Sequence, residues 1–370
     1  MKFSINQKDL QESLGFCQNV IERRSTLPIL SNVLIEAKSE NLVITATDLD
    51  MIFVHKISNV EIEQEGKTTT NSTIMYDIVR KFSTGKKINV ESLSESKLQL
   101  ESEKSIFKLN CIDAQEFPIT EQNINGSEVL INSQNFLKLL NKCKFSISSD
   151  ETRHYLSGIF FHITENNEKN FLTAVSTDSH RMSISKMKLA NKINFDPIIL
   201  PRKTIHHLCS LLENFNGDIK LSNSKNKIKF ILNNSTLTSK VIDGKFPNYI
   251  QVIPKNNKKR LQADLGLFQN SVDRVASVSA DKKDGVRFNI SKDKLDLSVN
   301  NANNGDGKET LTVKFEHDLD ISFNSKYLIE VAHQLEGENI EIYFNDTSSP
   351  ALIKDPSDYD SIFIIMPMKA

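Results

Sequence analysis

Internal repetition is the feature that most constrains how this 370-residue chain can fold. Three landmarks of its first third return in the second third, in the same order and about 126 to 130 residues later. The matched segments are 26–35 with 152–161, 46–51 with 176–182, and 112–118 with 242–247. Residues 285–290 mark a fainter third copy, because they match the strand-like ends of 26–35 and 152–161. Such self-similarity predicts tandem copies of one structural unit.

The copies share a predicted order of helix, paired strands, helix and strands. Apolar residues at helical spacing predict first helices near 6–24, 132–146 and 262–279, and second helices near 72–82, 201–215 and 324–335. The stripe of the helix near 72–82 is expected to contain Ile74, Ile78 and Phe82. Ser133 is the expected N-cap of its helix. Alternating runs at 97–101, 227–231 and 339–344 predict strands.

These elements define the expected fold class and domains. We predict three α+β domains, at residues 1–125, 126–254 and 255–370, each with two helices packed on antiparallel sheets. The stretch 254–259 is polar and begins with proline, so it is the expected linker before the third domain.

Composition excludes several classes of protein. The 46 Lys and Arg residues nearly balance the 47 Asp and Glu residues, which argues against a protein that coats nucleic acid electrostatically. The opening residues become polar too early for a signal peptide, so none is expected, and no apolar run approaches the roughly 18 residues that span a membrane. Four cysteines lie far apart without a CxxC pair, which indicates a reducing compartment and thiols packed beside apolar stretches. They are Cys17, Cys111, Cys143 and Cys209.

The candidate motifs for chemistry fail on spacing. Asp178, Ser179 and His180 have the residue types of a hydrolytic triad, but adjacent residues cannot converge on one another. The 301–309 stretch lacks the glycines and ligands of a phosphate loop or a calcium loop. His206 and His207 are consecutive, so they do not share a helix face as a zinc-binding pair would. We therefore expect no catalytic residues, no metal and no cofactor.

Charged and apolar surfaces offer a different kind of function. Basic residues on predicted helices are Arg23, Arg24, Arg80, Lys81, Lys138, Lys142, Lys144, Arg202 and Lys203. Acidic residues concentrate on predicted strands and loops, so a helical face could meet a polyanion while the total charge stays near zero. Ordinary solvated helix faces explain the same pattern, and charge alone does not decide between the two. The apolar end at 362–368 is either an internal strand or part of a groove.

Taken in order, these motifs resemble one protein family along the whole chain. They are the triple repeat, the opening at 1–3, the 24–30 segment ending in Leu-Pro-Ile-Leu, the 177–181 and 243–249 segments, and the ending at 366–368. In combination they are similar to the β subunit of bacterial DNA polymerase III, the sliding clamp. The resemblance implies three copies of the DNA-clamp fold and a head-to-tail homodimer closed into a ring around double-stranded DNA. It also implies a cytoplasmic protein that associates with the nucleoid.

The resemblance implies sliding without sequence specificity, since a ring that encircles DNA needs few phosphate contacts. By position, Arg24, His154 and Tyr155 match DNA-contacting positions of the family, with His154 replacing a tyrosine. The two halves of the dimer interface correspond to Phe107 and to Ser277 with Val278. Because Ser277 is more polar than the family's aliphatic residue, we expect an interface no stronger than is typical.

The family also docks linear motifs of its partners in a pocket between the second and third domains. Implied partners are the polymerase III catalytic subunit, an ATP-dependent clamp loader, other polymerases and repair proteins, with no membrane. The matching pocket residues are Leu156, Thr177, His180, Arg181, Met182, Pro247, Val252, Ile364, Met366, Pro367 and Met368. We expect His180 and Arg181 to be polar anchors at the rim of an apolar, pliable groove. Ser179, Met182 and Gln251 depart from the family's glycine, leucine and arginine.

Two other classes of function remain to be tested against this one. A hydrolase using Asp178 or His180 would turn over an ester or a phosphate, and a sequence-specific DNA regulator would bind linear oligonucleotides with base preference.

Overall fold

The computed structural model describes residues 1–22, 26–119, 124, 128–166, 168–191, 193–279 and 285–368. The first copy consists of β1 (Lys2–Asn6), α1 (Gln7–Cys17), β2 (Asn32–Lys38), β3 (Asn41–Thr47), β4 (Met51–Ile57), β5 (Val60–Gln64), β6 (Gly66–Asn71), α2 (Ser72–Val79), β7 (Lys87–Ser94), β8 (Lys97–Ser102) and β9 (Ser105–Ile112). The second consists of β10 (Val129–Asn132), α3 (Ser133–Lys144), β11 (Gly158–Asn166), β12 (Lys169–Thr177), β13 (Arg181–Lys188), β14 (Ile198–Pro201), α4 (Arg202–Leu212), β15 (Asp218–Asn223), β16 (Lys227–Leu232) and β17 (Ser235–Lys240). The third consists of β18 (Lys259–Asp264), α5 (Leu265–Ala276), β19 (Gly285–Ser291), β20 (Lys294–Asn301), β21 (Gly305–Thr312), β22 (Leu319–Asn324), α6 (Ser325–Ala332), β23 (Asn339–Phe344), β24 (Ala351–Asp355) and β25 (Asp358–Ile365).

This order confirms the predicted helix, strands, helix and strands in each copy. All six predicted helices form, and each is shorter than its predicted range. The largest difference is in α1, which ends at Cys17 because the chain then forms tight turns through Ile21. Each copy also opens with a short strand, β1, β10 or β18, that the sequence pattern did not predict.

Asparagine or aspartate at the end of a strand starts most of the helices. Side-chain oxygens of five such residues accept hydrogen bonds from backbone N–H groups of the first turn, at 2.8–3.3 Å: Asn6, Asn71, Asn132, Asp264 and Asn324. Such caps satisfy donors that have no partner within the helix. The prediction that Ser133 caps α3 was therefore wrong by one residue. Asn132 is the cap, and the Ser133 hydroxyl instead donates to the carbonyl of Phe215 at 3.0 Å.

The chain divides into two compact units. The first unit comprises Met1–Leu137, Ile193–Asp196 and Lys203–Val241. It contains one 13-stranded sheet in the order β10-β15-β16-β17-β4-β3-β2-β6-β9-β8-β7-β1-β5. Strand β4 of the first copy pairs there with β17 of the second, with Met51 opposite Ser239.

The second unit comprises Lys138–Lys192, Pro197–Arg202 and Ile242–Ala370. It contains an eight-stranded sheet, β14-β11-β12-β13-β25-β24-β23-β18, and a four-stranded sheet, β21-β20-β19-β22. Strand β13 of the second copy pairs with β25 of the third, with Met182 opposite Ile364. Every strand pairing of both units is antiparallel in the described residues, which confirms the predicted α+β class with antiparallel sheets.

The predicted apolar stripes fill the cores, with one exception. Leu10, Leu14 and Cys17 of α1, which lie at helical spacing, are fully buried. In α2 the stripe is shifted by one residue, so Met75 is buried while Ile74 is 52% exposed. Cys143 and Cys209 are also buried, as expected, whereas Cys111 is half-buried. None of the helices in the described ranges is long and apolar enough to span a membrane.

Candidate functional site

A tight turn between β12 and β13 organises the predicted pocket. The hydroxyl of Thr177 donates to the carbonyl of Arg181 at 2.6 Å and accepts from the backbone N–H of Ser179 at 3.1 Å. One carboxylate oxygen of Asp178 accepts from the N–H groups of His180 and Arg181, both at 2.9 Å. The first copy repeats this pattern between β3 and β4, where Thr47 and Asp48 make the corresponding bonds. The internal repeat therefore reflects a shared turn.

The backbone of this turn is strained at one position. Ser179 has a φ of 77°, as does Leu49 in the first copy. This left-handed region favours glycine, and other residues adopt it at an energetic cost. The Ser179 hydroxyl accepts a 2.7 Å hydrogen bond from Nη1 of Arg153, a residue of the 3₁₀ segment Glu151–Leu156. Serine, which stands where the family has glycine, thus adds backbone strain and also adds a side-chain hydrogen bond to Arg153.

The neighbouring Asp150 holds the other side of Arg153. Its carboxylate accepts from Nε of Arg153 at 2.8 Å and from both the N–H and the hydroxyl of Thr152. Hydrogen bonds from Thr152, followed by those from Arg153, lower the pKa of this carboxyl below its ordinary value. The Arg153 side chain is therefore fixed between Asp150 and Ser179.

Arg181 is buried, which differs from the rim position expected for it. Its guanidinium is only 8% exposed and donates to Asp178 at 3.0 Å, to the carbonyl of Phe145 at 2.6 Å, and to Glu330. It also lies 4.3 Å from the ring centroid of Tyr327 on α6. These contacts link the turn of the second copy to a helix of the third, so Arg181 is a structural connection.

The same contacts argue against a hydrolytic triad formed by Asp178, Ser179 and His180. The Asp178 carboxylate is occupied by two backbone N–H groups and by the Arg181 guanidinium. It does not orient the exposed His180 side chain as the acid of a triad would. His180 uses its carbonyl to accept the backbone N–H of Met366 at 2.8 Å.

Several predicted pocket residues lie in one apolar cluster. Leu156, Met182 and Ile364 are 2–5% exposed and belong to a cluster completed by Val175, Ile184, Ile199, Phe246, Tyr249 and Leu352. Thr177 and Pro367 are half-buried, and Pro247 is exposed. The structure thus brings together residues of the second and third copies within the second unit.

Exposed apolar side chains lie close in the chain to members of this buried cluster, Tyr249 and Ile364. Val252, Met366 and Met368 are 45%, 38% and 39% exposed. Backbone hydrogen bonds fix the C-terminal stretch, because Met368 donates its N–H to the carbonyl of Ser322 at 2.8 Å. Large apolar side chains that stay exposed beside a buried cluster are typical of a surface that binds an apolar partner.

Sequence reasoning missed the residues that support the 246–252 segment. Phe246 stacks on Phe160 with ring centroids 4.9 Å apart, and the hydroxyl of Tyr249 lies 2.9 Å from Nε2 of His162. Ile250, which is 55% exposed on the same segment, was also missed. The aromatic content of 246–249 was visible in the sequence, but the contacts with β11 depend on strand register.

The three predicted DNA-contacting residues differ in whether the structure describes them and in how exposed they are. Arg24 lies outside the described residues. His154 is exposed, and its Nε2 lies 3.2 Å from the carbonyl of Asp243. Tyr155 is half-buried and packs closely on Gly244, where a Cβ would lie 3.1 Å from the Cβ of Tyr155. His154 is thus the more accessible of the two described residues.

Several basic residues assigned to helix faces are engaged within the protein. Lys142 is only 3% exposed and pairs with Glu336 at 3.1 Å and Asp358 at 3.5 Å. Arg202 donates to the carbonyls of Ile147 and Ser148. Neither side chain therefore belongs to a solvated basic face.

The two predicted halves of a dimer interface lie in different units. Phe107 is 40% exposed on β9 and packs edge-on against Phe82, with centroids 5.7 Å apart. Ser277 caps the end of α5, and Val278 is half-buried against the core of the third copy. Within the described chain, residues 105–110 pair with β8 alone and β21 pairs with β20 alone, so both strands leave an edge unpaired.

Comparison with known proteins covers the whole chain. Models of the DNA polymerase III beta subunit match residues 1–121 with its N-terminal domain, 130–248 with its central domain and 250–369 with its C-terminal domain. Curated relatives named beta sliding clamp come from Caulobacter vibrioides strain NA1000 / CB15N, at 35% identity, and Rickettsia felis, at 33%; each alignment covers 100% of both chains.

Solved structures agree with these matches. A beta sliding clamp from Caulobacter crescentus superposes with a TM-score of 0.97 at 34% identity, covering 100% of this chain and 99% of the other. A sliding clamp from Bartonella birtlesii bound to griselimycin superposes with a TM-score of 0.96 at 35% identity, covering 100% of both chains.

Proposed function

The chain belongs to the beta subunits of bacterial DNA polymerase III, the DNA sliding clamps that act as processivity factors, and we propose that it performs this role by docking partner motifs on its second unit. The observation that carries the proposal is the buried cluster containing Leu156, Met182 and Ile364, accompanied by exposed Val252, Met366 and Met368. Pliable methionines accept peptides of differing shape, which suits a surface shared by several partners.

The proposed pocket consists of the residues matched to the family. They are Leu156, Thr177, His180, Arg181, Met182, Pro247, Val252, Ile364, Met366, Pro367 and Met368. Within this set, we assign the buried floor to the apolar cluster and a positioning role to Arg181, whose guanidinium is engaged by Asp178 and Glu330. Proposed occupants are linear motifs of the polymerase catalytic subunit, the ATP-dependent clamp loader and repair proteins.

We propose griselimycin as a probe of this pocket, because a sliding clamp from Bartonella birtlesii that is 35% identical to this chain has been solved with griselimycin bound. We expect the wild-type chain to bind griselimycin in isothermal titration calorimetry. Met366→Glu places a charge among apolar side chains and should weaken binding at least tenfold. Leu93→Glu is a matched control, since Leu93 is also an exposed apolar residue and lies on β7 of the first unit. An equal loss of griselimycin affinity in both variants, or no griselimycin binding by the wild type, contradicts the proposed pocket.

The proposed assembly is a head-to-tail homodimeric ring of three clamp domains per chain, at 1–125, 126–254 and 255–370. Support comes from the unpaired edges of β9 and β21, since strands with an unpaired edge are ready to pair with another chain. Phe107 lies on the first edge, and Ser277 and Val278 lie beside the second, where Val278 accepts a hydrogen bond from Asn304. Head-to-tail contacts close into a ring when the rotation between chains allows it.

The proposed mechanism on DNA is topological. A ring can remain linked to DNA with few phosphate contacts, which leaves it able to slide. Candidate DNA contacts are Arg24, His154 and Tyr155. Lys142 and Arg202 pair with groups of the protein itself, which is consistent with a surface that is only weakly basic. We also propose that the protein is non-catalytic, uses no cofactor and works in the cytoplasm at the nucleoid.

Linearisation of a DNA circle tests this mechanism. The protein is loaded on nicked circular DNA by an ATP-dependent clamp loader, and the circle is then cut with a restriction enzyme. We expect the protein to remain on the intact circle in gel filtration and to leave the linear product. Retention on linear DNA would instead indicate a site-specific binder.

A further inference from the structure

The 246–252 segment, here called the docking loop, presents exposed apolar residues from a stretch that contains no β-strand. Pro247 is exposed, and Ile250 and Val252 are 55% and 45% exposed. Its backbone hydrogen bonds are local: the N–H of Tyr249 donates to Pro247 at 2.8 Å, and that of Val252 donates to Tyr249 at 3.0 Å. Such bonds hold the 3₁₀ turn Tyr249–Gln251 together but do not fix its position on the protein.

Two buried side chains provide that position. Phe246 and Tyr249 are 7% and 8% exposed, and both contact residues of β11. Phe246 stacks on Phe160 at 4.9 Å with an interplanar angle of 7°, and Phe160 stacks in turn on His162 at 4.9 Å. The hydroxyl of Tyr249 completes the arrangement at 2.9 Å from Nε2 of His162. Phe160 and His162 are two residues apart on one strand, so they face the same side.

The first copy contains only half of this arrangement. At the repeat spacing, Phe160 corresponds to Leu34 and Phe246 to Phe117, and these two residues do share a buried cluster. His162 corresponds to Glu36, which cannot stack as an aromatic ring does. The packing contact is therefore common to both copies, whereas the histidine is particular to the copy that contains the docking loop.

We propose that His162 is a positioning residue, which acts through Tyr249 to hold the docking loop in its binding conformation; this inference rests on the proposed pocket. Nδ1 of His162 lies 3.3 Å from the carbonyl of Ile163, so it donates there, and Nε2 accepts the proton of the Tyr249 hydroxyl. The neutral ring satisfies both contacts. A loop held in its bound conformation loses less entropy on binding, which increases affinity.

The test measures griselimycin affinity by isothermal titration calorimetry on the full chain. Tyr249→Phe removes only the hydroxyl and should weaken binding about three- to tenfold, whereas His162→Leu removes the acceptor together with its stacking on Phe160 and should weaken binding at least as much. The double variant should bind no more weakly than His162→Leu, because that single variant already removes the hydrogen bond that Tyr249→Phe removes. His162→Gln should restore most of the affinity, since its amide oxygen can accept from Tyr249.

His55→Leu is the matched control. His55, like His162, is half-buried, and its Nδ1 lies 2.8 Å from the hydroxyl of Ser235, but both His55 and Ser235 lie in the first unit. We expect this variant to lose thermal stability and keep its griselimycin affinity. Should His162→Leu fail to fold, Tyr249→Phe carries the test.

The outcomes separate this inference from the proposed pocket. Absence of griselimycin binding by the wild-type chain overturns the pocket and the inference with it. Wild-type binding with unchanged affinity in Tyr249→Phe, or additive losses in the double variant, overturns the positioning role alone.

Discussion

Nη1 of Arg153 donates a 2.7 Å hydrogen bond to the hydroxyl of Ser179, and this bond joins two irregular pieces of backbone. Ser179 has a φ of 77°, and Arg153 departs from helical geometry inside its 3₁₀ segment, with φ −110° and ψ 58°. The side-chain contact therefore offsets part of the strain at the turn that carries Thr177 and His180.

Replacing Ser179 by glycine separates these two effects. Ser179→Gly relieves the left-handed strain, which by itself is worth about 1 kcal/mol, but it also removes the acceptor of Arg153, which costs about the same. We expect the free energy of unfolding to change by less than about 0.5 kcal/mol. Ser39→Gly is the matched control, because Ser39 is also left-handed, at φ 55°, and its side chain makes no hydrogen bond to an arginine within the described residues. This control should gain about 0.5–1 kcal/mol in urea denaturation, and equal gains in both variants would show that the Arg153 bond contributes nothing.

The sequence predicted most of the structural features that the copies share and fewer of the contacts that occur in one copy alone. The shared turns at 47–51 and 177–181 have the same threonine and aspartate in the same hydrogen bonds, so their recurrence identified the copies. The buried position of Arg181 could not be predicted, since Glu330 and Tyr327 are about 150 residues away in the chain. Contacts of that separation depend on the pairing of β13 with β25, and sequence periodicity does not encode that pairing.

Acid is expected to destabilise the protein through His207. This side chain is 1% exposed, and neither of its ring nitrogens has a hydrogen-bond partner in the described residues. Burial, assisted by the charge of Lys203, lowers the pKa of His207 to about 4. Because the unfolded state takes up a proton near pH 6.5, the stability from the neutral buried ring is complete above that pH and is lost as the pH falls to about 4. The total loss is about 3 kcal/mol.

Urea denaturation at pH 7, 5.5 and 4.5 measures this effect. His207→Leu should flatten the pH dependence, since leucine cannot take up a proton. Leu208→Ala is the control, because Leu208 is fully buried on the same helix and its truncation should lower the stability by the same amount at every pH. An identical slope in wild type and His207→Leu would assign the acid sensitivity to other groups.

Loss of the Arg181 guanidinium is expected to be far more costly than loss of a surface arginine. Arg181→Leu leaves Asp178 and the partly buried Glu330 without their cation, and the free energy of unfolding should fall by about 3–5 kcal/mol. Arg287→Ala also breaks an ion pair, with Asp320, but Arg287 is 61% exposed and its loss should cost less than 1 kcal/mol. Thermal and urea unfolding of the two variants give the comparison, and similar losses would contradict the structural role assigned to Arg181.

Self-association is expected to depend on Phe107. Phe107 is 40% exposed on an edge of β9 that is unpaired over residues 105–110, so Phe107→Ala should remove apolar area from the proposed interface. A contact of this kind typically contributes about 1–3 kcal/mol, which corresponds to a dimer about 5- to 150-fold weaker in sedimentation equilibrium. Tyr359→Ala removes an 87% exposed ring that lies outside the proposed interface, and it should leave the dimer constant unchanged.

Ser277→Ile supplies the opposite change at the other half of the interface. The Ser277 hydroxyl donates to the carbonyl of Asp273 in the preceding turn. Replacement by isoleucine therefore adds apolar surface and loses only this local hydrogen bond. We expect a severalfold tighter dimer. A dimer that is already very tight and insensitive to both Phe107→Ala and Ser277→Ile would place the interface elsewhere on the chain.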